Sequence, residues 1–210
     1  MTGLSERQRS YLLEVVESLQ AAGYGQQWPK VYNRFFCLWG YFNRIYDEMY
    51  TDHEEWKRIA RFAFDERFST FMWEALDQRI VWELACQPCV GSGRNEYEPV
   101  NYVRIASHTL RTEFGIDVHE VCQSEKCRNR KDRGWPLCSE RDWADPPRTI
   151  QQPRHAKYTP LGATLTILYQ IRNNLFHGSK SEMHGPQKER NLLLVGLSAR
   201  IMSQLLRGVV

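Results

Sequence analysis

Residues 161–178 read LGATLTILYQIRNNLFHG. Their apolar spacing predicts a helix from Leu161 to His177, closed by Gly178. On a wheel of about 100° per residue, Leu161, Leu165, Leu168, Leu175 and Phe176 share one face, with Tyr169 at its edge. Arg172 falls in the middle of that face, between Leu168 and Phe176. A guanidinium aimed at an apolar surface requires a partner, a ligand or water, because an unpaired buried charge is strongly destabilising. Asn173 and His177 lie four apart and share a flank of the helix. His177 is about 140° around the axis from Arg172, so the two converge only through a loosened last turn or between two copies of the helix.

Outward from this helix the chain reads as mostly α. Ser5 suits an N-cap, and Leu12, Val15, Val16 and Leu19 recur at helical spacing up to Gly23. A second helix is expected to begin near Pro29, with Phe35, Leu38, Trp39, Phe42, Tyr46 and Met49 as one buried stripe. The region from Trp56 to Cys86 is expected to hold two helices, with Phe62, Phe71, Trp73, Leu76, Ile80 and Leu84 in the core. A short helix follows from Tyr102 to Phe114, closed by Gly115, and a last one spans about Lys188 to Leu206. Strand signals are weak throughout. From about Gly115 to Pro160 periodicity gives way to prolines, charges and cysteines, which reads as an irregular insert. The fold expected is therefore an all-α, up-and-down helical bundle, a single domain over residues 1–210 with a cysteine-bearing insert within residues 86–160.

Composition sets wide bounds. With 42% hydrophobic and 25% charged residues, the chain is an ordinary globular one rather than a disordered one. A net charge of +3 does not by itself argue for nucleic acid. The polar start, MTGLSERQRS, lacks a signal-peptide core, and no apolar run is expected to cross a bilayer, so a cytoplasmic protein with no membrane association is expected. The six cysteines are then thiols or metal ligands rather than disulfides. Cys86-Gln87-Pro88-Cys89, followed by VGSG, has the shape of a zinc knuckle, with Cys122 and Cys127 as a second pair and Cys138 and His119 as spare ligands. A structural zinc held by Cys86, Cys89, Cys122 and Cys127 would keep an irregular insert ordered. The alternative is a scatter of unrelated thiols. Lys126–Arg133 carries five positive charges against one negative and could follow an RNA backbone, or be a solvated loop. His53, His108 and His184 are read as ordinary surface or core residues.

Chemistry that uses an arginine, an asparagine and a histidine together without a metal is the cleavage of RNA. The phosphodiester supplies its own nucleophile, the 2′-OH. A histidine moves protons near neutral pH, and an arginine holds the charge growing on the phosphoryl oxygens. The same residues also fit a simpler arrangement, an arginine paired to a core carboxylate with a capping histidine. The bare spacing does not separate the two.

The string IRNNLFHGSKS resembles the signature of the HEPN superfamily, an arginine followed after four to six residues by a histidine on a late helix. RNNLFHG is especially similar to the Apea-like branch, as is FFCLWGYFNRIYDEMY in the second helix, with Trp39, Phe42, Asn43 and Tyr46. The two blocks together hold 27 of the 210 residues. This resemblance implies a bundle that dimerises, with two Arg–His motifs facing one another across a composite cleft. It implies a metal-independent endoribonuclease, with no cofactor for catalysis, acting in toxin–antitoxin or phage-defence systems. Its partners would be RNA, a second copy of the chain, and an antitoxin or defence protein. Arg172 would hold the phosphate, His177 would be the acid/base and Asn173 the auxiliary polar group, with Asn174, Lys180 and Asn43 contacting substrate. Some members have lost catalysis and bind RNA, nucleotide or a protein partner, which is the alternative function. Members paired with a nucleotidyltransferase antitoxin carry a tyrosine two residues after the histidine. Ser179 stands there in this chain.

Overall fold

The computed structural model describes residues 30–87, 102–116, 153–176 and 186–209, with the isolated helical positions Glu6 and Ser10. Among the described residues there are seven α-helices and no strand, so the protein is an all-α helical bundle. In chain order these are α1 (Lys30–Met49), α2 (Glu55–Phe64), α3 (Ser69–Ala75), α4 (Gln78–Ala85), α5 (Tyr102–Glu113), α6 (Pro160–Phe176) and α7 (Pro186–Val209), with a 3-10 helix at Pro153–Tyr158 leading into α6. Of the helix expected between Ser5 and Gly23, only Glu6 and Ser10 are described, both helical; the rest lies outside the described residues.

The stripe of α1 is buried as its spacing requires: Phe35, Leu38, Trp39, Phe42 and Tyr46 are enclosed, joined by Ile45, while Met49 is half-buried. Helix α7 lies along α1, and α5 lies along α6. The 3-10 helix wedges between α2, α5 and α6. Helix α6 touches α2, α3, α5, α7 and the 3-10 helix. It is not an amphipathic strip: Leu161, Gly162, Ala163, Thr164, Leu165, Ile167, Leu168 and Ile171 are all buried, Thr166, Tyr169 and Gln170 are half-buried, and residues 172–175 are half-buried throughout. Pro160 occupies its first turn, where a missing N–H is harmless. Thr159 Oγ1 accepts the Gly162 N–H at 3.2 Å, an N-terminal cap one residue earlier than the apolar pattern suggests.

Three other expectations are corrected. The region from Trp56 to Cys86 holds three helices rather than two, because Asp65 and Leu76-Asp77 each leave the helical conformation and Asp77 caps α4 by accepting the Arg79 N–H. Within α3 it is Met72 that enters the core, whereas Phe71 is 56% exposed. Within the span 86–160, Val103, Ile105, Ala106 and Leu110 of α5 and Ala156 of the 3-10 helix belong to the buried interior. Finally, Glu189–Val209 is long and apolar enough to cross a membrane by length and composition. Its Leu194, Val195, Leu197, Ile201, Met202, Leu205 and Leu206 are instead spent on the bundle core, where Ser198 and Ser203 are also enclosed.

Helix α5 ends as Gly115 demands. Its φ of 63° is the only positive φ among the described residues. The Ile116 N–H reaches the Arg111 carbonyl at 2.8 Å and the Gly115 N–H reaches Thr112 at 3.2 Å, the paired bonds of a left-handed C-terminal cap.

Candidate functional site

Arg172 sits where α6 emerges from the core, and its side chain is 24% exposed. Nη1 donates to Glu55 Oε2 at 3.2 Å and to Asn173 Oδ1 at 2.8 Å. Its guanidinium carbon lies 5.9 Å from the centroid of the Trp39 ring, a cation–π contact. Glu55, in the first turn of α2 and 19% exposed, is therefore the carboxylate partner that an arginine at this position needs. The pairing half of the simpler arrangement is thus present. Arg172 stands at the rim of the bundle rather than in the middle of an apolar face.

Glu55 is held from the other side by α1. Its Oε1 accepts the Tyr46 hydroxyl at 2.6 Å and the Trp39 indole N–H at 3.5 Å. The Tyr46 hydroxyl also touches Asn43 Oδ1, and Asn43 Nδ2 donates to Asp47 Oδ2 at 3.1 Å. Burial, then the Glu55 carboxylate that accepts its proton, pushes the Tyr46 hydroxyl far above the ordinary phenol range, so it is a neutral donor. The indole of Trp39 stacks on Tyr169 of α6 with centroids 6.1 Å apart. The two blocks of sequence singled out above, one on α1 and one on α6, meet at this point.

The other candidate residues divide as follows. Asn173 is in contact with Arg172, and Asn43 joins the same network through Tyr46. Asn174 Oδ1 accepts from Gln170 Nε2 at 2.7 Å, while its own Nδ2 is buried with no hydrogen-bond partner among the described residues. His177 and Lys180 lie outside the described residues. Of the cysteines proposed for zinc, Cys86 is a free, half-buried thiol whose pKa burial raises. Cys89, Cys122 and Cys127 lie outside the described residues, as does the basic stretch 126–133. No cluster of three or more metal-ligating side chains occurs among the described residues.

Sequence reasoning missed Glu55. An acidic residue in a first helical turn is what any helix N-terminus favours, so nothing in the local pattern sets it apart. It also missed Arg111, 1% exposed, whose Nε and Nη2 donate to the carbonyls of Ala85 (3.0 Å) and Gln87 (2.9 Å) at the end of α4. No protein-family profile, curated protein or solved structure matches the chain.

Proposed function

We propose that the protein is a metal-independent endoribonuclease of the HEPN type, cleaving RNA by attack of a 2′-OH on the adjacent phosphodiester. Arg172 receives the phosphoryl oxygens, His177 moves the proton, and Asn173 steadies the guanidinium. The 2′-oxygen bonds to phosphorus, the bond to the 5′-oxygen breaks, and that oxygen leaves as a hydroxyl, giving a 2′,3′-cyclic phosphate and a 5′-OH. The observation that supports this reading is the meeting of Arg172 and Asn173 with Trp39, Asn43 and Tyr46 at the rim of the bundle. A partly exposed guanidinium there is open to an anion from solvent. The setting we propose is a cytoplasmic toxin or phage-defence effector that acts as a homodimer with a composite cleft and is regulated by an antitoxin or defence partner. The four cysteines would supply a structural zinc.

A second reading, a non-catalytic module that binds RNA, nucleotide or a protein partner, is favoured by one observation. The Arg172–Glu55 pair neutralises the charge a phosphate would need. The two readings separate in one experiment. Purified protein is incubated with RNA in EDTA beside Arg172→Ala and His177→Ala variants. The enzyme predicts cleavage that falls by about 10²–10³-fold in the first and about 10²–10⁴-fold in the second. Intact RNA at high wild-type concentration, with no growth defect on expression, supports the module. Mass spectrometry of the untreated protein for zinc tests the cysteine site separately.

A further inference from the structure

We propose that Glu55 is a positioning residue for Arg172, holding the guanidinium in the orientation in which it meets a phosphodiester. The inference rests on the reading of Arg172 as the phosphate-binding group.

The two carboxylate oxygens divide their work. Oε1 is fixed to α1 by the Tyr46 hydroxyl (2.6 Å) and the Trp39 indole (3.5 Å), and Oε2 takes Arg172 Nη1 (3.2 Å). Both rings behind Oε1 are enclosed in the core. Phe42 packs edge-on against Trp39 at 5.8 Å and against Tyr46 at 5.1 Å. Oε1 is thus tied to a rigid aromatic frame, and Oε2 inherits that position. A guanidinium is planar, so fixing one nitrogen from two sides, by Glu55 and by Asn173 Oδ1, goes far to fix the plane of the group. A bare ion pair at the rim would contribute little and would orient little. Two additional donors on the same carboxylate supply what a bare pair lacks.

The arrangement has a consequence that a purely structural pair does not share. A negative charge beside Arg172 weakens its ground-state hold on a phosphate, while the fixed orientation favours the transition state. Removing the charge must therefore move binding and turnover in opposite directions.

The test uses the full chain with Glu55→Gln, Glu55→Asp and Tyr46→Phe. Turnover is measured on RNA, and affinity on a non-cleavable oligonucleotide carrying 2′-deoxyribose at the scissile position. Circular dichroism checks folding. Glu55→Gln is expected to lower kcat by about tenfold or more and to tighten the oligonucleotide Kd by about threefold. Both effects should vanish in an Arg172→Ala background. Glu55→Asp keeps the charge but retracts it by one methylene, so it should not restore kcat. Tyr46→Phe keeps the ring, loosens Oε1 and should give an intermediate loss of kcat, which carries the test if Glu55→Gln does not fold. If wild type cleaves and folded Glu55→Gln turns over normally or faster, or Glu55→Asp is fully active, the positioning role is overturned and the ribonuclease reading stands. If wild type binds but does not cleave, the ribonuclease reading falls. With no turnover to orient for, the positioning role falls with it, whatever Glu55→Gln does to affinity. A wild type that neither cleaves nor binds overturns both.

Discussion

Arg111 and Arg172 are both drawn toward the interior, and their surroundings differ in kind. The guanidinium of Arg111 is enclosed and spans the Ala85 and Gln87 carbonyls, which the end of α4 leaves without helical donors. Placed at that terminus, its positive charge also meets the negative end of the helix dipole. Replacing Arg111 with Met keeps most of the volume and removes the donors. The variant should lose about 2–4 kcal/mol of stability in urea unfolding, with the unfolding slope unchanged. Arg111→Lys should recover only part of this, because one ammonium cannot bridge both carbonyls with the geometry of a planar fork. Arg172 keeps a quarter of its side chain at the surface and has the Glu55 carboxylate beside it. Its removal should alter function more than stability. The arginine-to-histidine spacing that drew attention to Arg172 was visible in the string itself. Nothing comparable marked Arg111, because TLRTEFG reads as the ordinary polar end of an amphipathic helix.

At the scale of elements, the corners between helices decide how the site is assembled. Asp65 ends α2, and its carboxylate accepts the Arg67 N–H (3.1 Å), Arg67 Nε (2.8 Å) and the Tyr50 hydroxyl (2.8 Å). It thereby joins the end of α1 to the turn before α3. Hydrogen bonding from Arg67, foremost, lowers its pKa from 3.8 to about 2. A carboxylate depressed in the folded state contributes fully above its unfolded value, and the contribution is lost as pH falls through the folded one. The stability difference between wild type and Asp65→Asn should therefore shrink as pH drops from about 4 to about 2, followed by urea unfolding at each pH. A second corner lies at the start of α6. A Cβ on Gly162 would stand 2.1 Å from the Ala156 carbonyl oxygen, which is backbone. Gly162→Ala should lower stability by about 1–3 kcal/mol or more, whereas Gly40→Ala, with nothing within 4 Å, should not. The periodicity of LGATLTIL announced the helix but not this close approach, which is made by a segment with no periodicity of its own.

For the whole molecule, the wheel separation of Arg172 and His177 makes the second subunit the central question. If the cleft is composite, mixing Arg172→Ala with His177→Ala protein should restore about a quarter of wild-type cleavage, since half of randomly exchanged dimers contain one complete site. Light scattering should show a dimer at the concentrations used. No restoration after verified exchange would place both residues of each site in one chain. The bundle also accounts for the apolar length of α7: a helix packed against α1, α3 and α4 must be apolar around much of its circumference, as a membrane helix must. Composition by itself does not distinguish those two environments.

By itself the sequence determined that the chain is helical, that α1 buries Phe35, Leu38, Trp39, Phe42 and Tyr46, that Gly115 stops α5, and that Arg172 and Asn173 share one helix end. Those properties follow from the 3.6-residue period and from local backbone chemistry, which neighbours in sequence report. The tertiary structure alone decided that Glu55, 117 positions before Arg172, is its partner, and that the aromatic frame of α1 holds that carboxylate in place. Such a pairing depends on how three helices pack, and no local period carries that information.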